Sequence, residues 1–281
     1  LARELAVDNR TVLAAYRALE REGLVELRAR SGVFFGPPSA TTTAPGLTRQ
    51  GQWALTVLLQ GLERGTPVSE VPTVLARHSA TVRLRGACIE CNDDQIAALV
   101  AELSSDFGVD AKGYDVDALL ADAGAASRLG ESDLIVTTPF HAGEVQELAV
   151  RARVPWVAIS YRADVFAEIA RLLPSTSVYF VLTDERYAAK LGKIYAASPG
   201  ADHLHLVLQG RDDVDAIPLG APTYLSRTAR ERLAGHPILE RVMPETRIFS
   251  AGSTREILTF IVRANALAMA GVGEAQAPSA R

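Results

Sequence analysis

Apolar and polar positions follow two different rhythms along the chain, and the change between them divides it. Up to Phe35 the pattern predicts a short helix, a tight turn, a second amphipathic helix and a two-stranded hairpin. The second helix starts at Asp8, a residue suited to an N-cap, and carries Val12, Tyr16 and Leu19 as one buried stripe at helical period. Gly23 ends it, because the chain needs a residue tolerant of positive φ where the helix stops. Leu24 to Leu27 and Val33 to Phe35 read as strands around the basic turn Arg28-Ala29-Arg30-Ser31-Gly32. Prolines and small polar residues from Gly36 to Gly46 form a linker that builds no core. A helix follows from about Gln52 to Arg64, carrying Trp53, Val57, Leu58 and Leu62. It is expected to pack the linker onto the second domain, with a share in a dimer contact open to it.

From Thr81 strands alternate with helices. Leu84–Cys91, Ala111–Val116, Asp133–Thr138 and Pro155–Ser160 read as strands, with helices at Asp93–Asp106, Asp117–Ala126 and Ala142–Arg153 between them. The rhythm repeats through a helix at Val165–Leu172, a strand at Val178–Thr183, a helix at Asp184–Ala196 and a strand at His203–Leu208. A strand near Ile217, a helix at Thr228–Leu233 and a long helix at about Thr254–Met269 complete it, the last opening on a Ser253-x-x-Glu256 capping box. Such alternation implies parallel sheet covered by helices on both faces. Two successive units suggest two lobes with a cleft between them; one continuous doubly wound sheet is the alternative. The tail from Gly271 to Arg281 is small and polar and reads as disordered.

The opening stretch is similar to the winged helix-turn-helix of the GntR family of bacterial transcription regulators. The resemblance rests on Leu1-Ala2-Arg3-Glu4-Leu5-Ala6, Thr11-Val12, Ala18-Leu19-Glu20-Arg21-Glu22-Gly23-Leu24-Val25 and the Gly32-x-Phe34 wing. It departs from the family at Asn9 and Leu13, where arginine is frequent, and at Arg30, where glycine is common. A complete winged helix needs a helix before Leu1, so the sequence is expected to be incomplete at its N-terminus. The resemblance implies double-stranded DNA as partner, with Asn9, Arg10, Thr11 and Arg17 at the recognition helix and Arg28, Arg30, Ser31 and Gly32 at the wing. One recognition helix reads only a few base pairs, so a homodimer on a palindromic operator is expected. The two-unit pattern resembles the periplasmic-binding-protein-like sensor domains of some bacterial repressors. The expected fold class is therefore α/β: an N-terminal winged helix-turn-helix (1–36), a linker (37–50), a larger parallel α/β domain for effector binding and dimerisation (51–270), and the tail (271–281).

Composition narrows this picture. The chain has 281 residues, too many for a winged helix alone, and 48% hydrophobic residues suffice for buried cores. A net charge of −4 suits a small DNA-reading module on a mildly acidic body. No apolar run reaches a membrane span and no signal-peptide organisation is visible, so a cytoplasmic location without membrane contact is expected.

Ligands of open parallel sheets sit beyond the C-terminal strand ends, where helix N-termini present free N–H groups. Asn92, Thr137, Thr138, His141, Ser160, Tyr161, Arg162, Thr183 and Ser253 fall there, with Asp93, Asp184 and Ser250 beside them. Hydroxyls at several helix starts with Arg162 nearby would suit a small anion or carboxylate, although each residue taken singly is also an ordinary cap. Cys88 and Cys91 are spaced for redox or metal chemistry but sit on a strand, where i and i+3 face opposite ways. His203 and His205 share a strand face without a third ligand, and Asp212, Asp213 and Asp215 read as a solvated acidic loop. No nucleophile elbow, zinc-protease helix or phosphate loop is present. The expectation is a regulator without a cofactor or catalytic residues, its operator affinity set by an effector. An α/β enzyme carrying a winged helix as accessory module is the alternative.

Overall fold

A computed structural model describes residues 8–21, 25–28, 32–35, 47–244 and 247–275. Contacts divide the chain into two units, 1–75 and 76–281. The first contains α1 (Asn9–Arg21), the antiparallel pair β1 (Val25–Arg28) and β2 (Gly32–Phe35), and α2 (Arg49–Glu63). The Asp8 carbonyl accepts the N–H groups of Thr11 and Val12, which places the start of α1 where the sequence signals it. Val12 and Tyr16 are half-buried whereas Thr11 and Arg17 are exposed. The hairpin register pairs Val25 with Phe35 and Arg28 with Gly32. Thr48 caps α2 through its hydroxyl, which accepts from Gly51 N at 3.1 Å. Nothing in α2 is buried, and Trp53 is 67% exposed. Of the expected DNA contacts, Asn9, Arg10, Thr11 and Arg17 lie on α1 and Arg28 and Gly32 end the two strands. Arg30 and Ser31, like the linker from Gly36 to Gly46, lie outside the described residues. Helix α3 (Val71–Ala80) was not anticipated, and the boundary between the units falls within it.

The second unit is α/β with two separate parallel sheets. The first sheet has the order β4-β3-β5-β6, built from β3 (Arg85–Glu90), β4 (Asp110–Asp115), β5 (Leu134–Thr137) and β6 (Trp156–Ala158). Helices α4 (Asp93–Phe107), α5 (Val116–Ala121), α6 (Ala125–Leu129) and α7 (Ala142–Ala152) connect these strands. Alternation decides which core each side chain enters: Cys88 and Val136 join Leu99, Leu103 and Ile257 on one face, whereas Ala87, Ile89 and Ile135 join Leu119, Leu129 and Leu148 on the other. Both faces are covered, so β3 and β5 are buried almost throughout and read as continuous apolar runs. After α8 (Ala163–Leu172) comes the second sheet, of order β8-β7-β9, from β7 (Val178–Leu182), β8 (Leu204–Leu208) and β9 (Thr223–Leu225). Helix α9 (Glu185–Tyr195) follows β7 and α10 (Arg227–Arg232) follows β9. Val178, Leu182 and Leu191 fill one face of this lobe; Val181, Ile217 and Leu233 fill the other.

Helix α11 (Ala251–Ala275) returns to the first lobe, where Ile257 and Ile261 complete its core. The two crossovers run side by side: Tyr161 bridges Phe249 antiparallel, Arg162 N donates to Ile248 O at 2.8 Å, and Ser250 N donates to Ser160 O at 2.9 Å. Among the described residues no helix is long and apolar enough to cross a membrane.

Several expectations change. The helix expected over Asp117–Ala126 is two short ones, because Asp122 turns the chain by accepting Gly124 N. Ile217 is buried but not in a strand; Pro218, Gly220 at φ 88° and Pro222 hold the chain in turns until β9. The Ser253 capping box does not form: α11 starts at Ala251, and Ser250 Oγ accepts Ser253 N instead. The same helix continues to Ala275, into the stretch expected to be a tail; residues 276–281 lie outside the described residues.

Candidate functional site

The C-terminal strand ends of the two lobes face one another, and polar side chains from both meet there. Asp94, 1% exposed, is the centre of this contact. Its Oδ2 accepts Thr183 N at 2.8 Å and Asp184 N at 3.0 Å, and its Oδ1 accepts the hydroxyls of Thr183 at 2.8 Å and Ser226 at 2.7 Å. Asp184 reciprocates by accepting Asp93 N at 2.9 Å. Arg186 reaches back from α9 to both Asp184 and Asp115. Burial alone would raise these two carboxyls, but the Arg186 guanidinium and backbone N–H donors hold both below the usual aspartate range.

Next to this latch lies a cavity of about 330 Å³ whose walls come from both lobes. Gln95, Ala98 and Glu102 of α4 form one side; Val165, Phe166 and Ile169 of α8, with Phe180, Tyr187 and Tyr224, form the other. The crossovers close the ends through Tyr161 and Arg162 and through Met243, Pro244, Arg247 and Ile248. Most of this surface is aromatic or aliphatic, as in pockets that take small organic molecules. Phe180 stacks on Tyr224 at 6.1 Å, and Tyr161 stacks on Phe166 at 6.2 Å. Tyr161 Oη accepts from Gln95 Nε2 at 2.9 Å, and burial raises its phenol well above the ordinary value. Tyr224 Oη is buried without a hydrogen-bond partner. Glu102 accepts Ile248 N at 2.6 Å and Phe249 N at 3.0 Å, which fixes a crossover to α4; burial raises this carboxyl.

Of the nine expected ligand residues, Tyr161 and Arg162 line the cavity. Arg162 is engaged by Asp164 (Nε to Oδ1 3.0 Å), Arg230 donates to Met243 O, and Arg247 pairs with Asp106. Arg162, Arg230 and Arg247 at the cavity thus each have a partner within the chain. Thr183 belongs to the latch. Thr137 donates to Ile89 O at 2.8 Å and ties two strands of the sheet. Ser253 Oγ accepts Ser160 N at 2.8 Å and secures a crossover. These last three residues perform structural tasks in the described arrangement, as strand-end polar residues commonly do.

Asn92, Thr138 and His141 do converge, on Glu90 and its surroundings. Asn92 caps α4 by accepting Gln95 N at 2.9 Å and donates to Gln95 Oε1 at 2.7 Å. Glu90, fully buried, accepts the Thr138 hydroxyl and Lys190 Nζ, the latter at 3.1 Å. Lys190 also donates to Gln95 Oε1 at 2.7 Å and sits 4.3 Å from the Phe140 ring centroid, so a lysine of the second lobe is held entirely by the first. Cys88 lies deep in the core, and burial drives its thiol strongly upward; Cys91 points to the opposite face, as strand alternation requires. His203 Nδ1 lies 2.6 Å from Leu173 O, while His205 stacks on Tyr179, so the two imidazoles serve separate partners. Asp212 and Asp213 accept Leu208 N and Asp215 N in the loop between β8 and β9.

Sequence reading missed Asp94, Glu90, Lys190 and Tyr224. A buried Glu ending an apolar strand and an Asp doublet opening a helix were the only hints, and both are common in loops. No protein-family model matches the chain and no curated protein matches it, which leaves the geometry itself as the basis for assigning a role.

Proposed function

We propose that the chain is a DNA-binding transcription regulator of the GntR type whose second unit senses a small organic effector. The observation that supports this most is the cavity of about 330 Å³ walled by both α/β lobes, because a ligand there touches elements that must move together for the lobes to close. The favoured effector is compact and mainly aromatic or cyclic, with one polar substituent for Tyr224 Oη. Helix α1, with exposed Thr11 and Arg17, followed by the β1–β2 hairpin, is compatible with recognition helix and wing. Mechanistically the coupling is linkage: an effector that prefers one lobe arrangement shifts the spacing of two DNA-binding modules in a homodimer, and operator affinity follows. Exposed Trp53, Leu59 and Leu62 on α2 suit the pairing surface. A cytoplasmic location belongs to the same reading.

The test uses the full chain. Native mass spectrometry against a panel of small aromatic and aliphatic metabolites should find one ligand per chain, lost in Ala98→Phe, which fills the cavity from α4. Binding unchanged in that variant would move the ligand elsewhere, and conversion of the ligand to a product would favour the enzyme.

A further inference from the structure

Beyond the effector cavity, Glu90, Cys91 and His141 bring three different metal-binding atoms together. Each offers one donor, and these lie within 4.8 Å of one another; among the described residues no other such group occurs. Glu90 ends β3 with Cys91 directly after it, and His141 sits in the 3-10 turn Pro139–His141 just after β5, so both segments are anchored by the buried centre of one sheet. The Glu90 Oε2 atom is 3.5 Å from His141 Nε2 and 3.8 Å from Cys91 Sγ. Tetrahedral zinc with bonds near 2.0–2.3 Å has ligand-to-ligand edges of about 3.3–3.7 Å, so two edges of the site already nearly match. His141 Nε2 is buried without a hydrogen-bond partner, although a carboxylate stands in front of it. A nitrogen in that position lacks its natural acceptor or its ion.

We infer that Glu90, Cys91 and His141 form a binding site for a borderline, thiophilic divalent ion such as zinc, with its fourth position open. An oxygen, a sulfur and an imidazole nitrogen select this class over calcium or magnesium, which take oxygen ligands. Lys190 is the feature that opposes it, since its ammonium shares Glu90 Oε2. Two observations lessen that cost. Gln95 Oε1 holds Lys190 at 2.7 Å independently of Glu90, and Phe140 faces the same ammonium. Binding also expels the Cys91 thiol proton, so one dication enters as one proton leaves and the site gains one net positive charge. Because Lys190 comes from the second lobe, an ion on Glu90 competes with an inter-lobe contact and ties metal occupancy to lobe closure.

Cobalt(II), added to the reduced full-length chain, is the probe. One equivalent should produce intense tetrahedral d–d bands and a near-ultraviolet thiolate-to-cobalt band, both displaced by zinc. Cys91→Ser should abolish the thiolate band, and His141→Gln should weaken cobalt binding by about tenfold or more through loss of one of three protein ligands. Unchanged far-ultraviolet circular dichroism shows that each variant is folded, and wild-type ligand binding in the cavity separates this site from the effector site. Proton release of one per ion agrees with the assignment. Absence of the thiolate band in the wild type, its survival in Cys91→Ser, or only weak octahedral binding would overturn it.

Discussion

Replacing Asp94 with Ala and with Asn should damage the protein very unequally. Asp94 accepts four hydrogen bonds from the opposite lobe while 1% exposed, so Ala leaves two backbone N–H groups and two hydroxyls without their acceptor. A hydrogen bond to a charged group contributes about 1.5–3 kcal/mol, but the four share one carboxylate and water can enter the space. Loss of a buried charged hub of this kind costs about 3–5 kcal/mol. Asn fits better than its loss of charge suggests. Its amide oxygen can take the two backbone N–H groups that Oδ2 now accepts, and its NH₂ can donate to the two hydroxyls, which are able to accept. A cost of about 1–2 kcal/mol follows for Asn. Urea unfolding followed by circular dichroism measures both, and the corresponding fall in melting temperature for Ala is about 6–20 °C. A wild-type midpoint for Asp94→Ala, or a penalty for Asn as large as for Ala, would refute the latch.

The remaining predictions concern charge, DNA and assembly. Arg186→Gln should cost about 1 kcal/mol at neutral pH, since the guanidinium is half exposed and its two ion pairs are screened. Asp115 and Asp184 are held below the ordinary value of 3.8, so their contribution is present above that pH and disappears as pH falls through their depressed values; the variant should show a shallower acid loss in urea midpoints. Arg10→Ala should weaken specific DNA binding by about 1–3 kcal/mol in fluorescence anisotropy if it reads a base. Removing Arg28 and Arg30 together should flatten the log affinity against log salt slope by about one to two units, at roughly 0.9 per phosphate contact. Sedimentation without DNA should give a dimer at micromolar concentration, and a concentration-independent monomer contradicts constitutive pairing.

How much of this was legible beforehand depends on the range of the interaction. Strands β3, β5 and β7 declared themselves because both faces are buried, and α4 because Asn92 and its apolar stripe are local signals. The strand expected at Ile217 failed since burial alone does not make a strand when prolines and a positive-φ glycine follow. The capping box failed because Ser253 found a partner, Ser160, that is 93 residues away. Site residues suffered most from this effect. Asp94 and Lys190 acquire their roles only when the second lobe arrives, and no spacing in the sequence brings residue 190 to residue 90. Arg162 lines the cavity as its place at a helix start suggests, while its ion pair with Asp164, two residues on, is a local contact that the sequence reading did not weigh.

The most direct test of the regulator is reciprocity between effector and DNA. A duplex selected by the full-length chain is titrated by fluorescence anisotropy with and without the ligand identified by mass spectrometry, in wild type and in Ala98→Phe. The ligand should shift operator affinity by about 5–150-fold in wild type, with operator shifting ligand affinity by the same factor. No shift should occur in Ala98→Phe, and the selected duplex should be palindromic, with half-sites about one helical turn apart. Failure to select any sequence, an equal shift in both proteins, or consumption of the ligand would contradict the account.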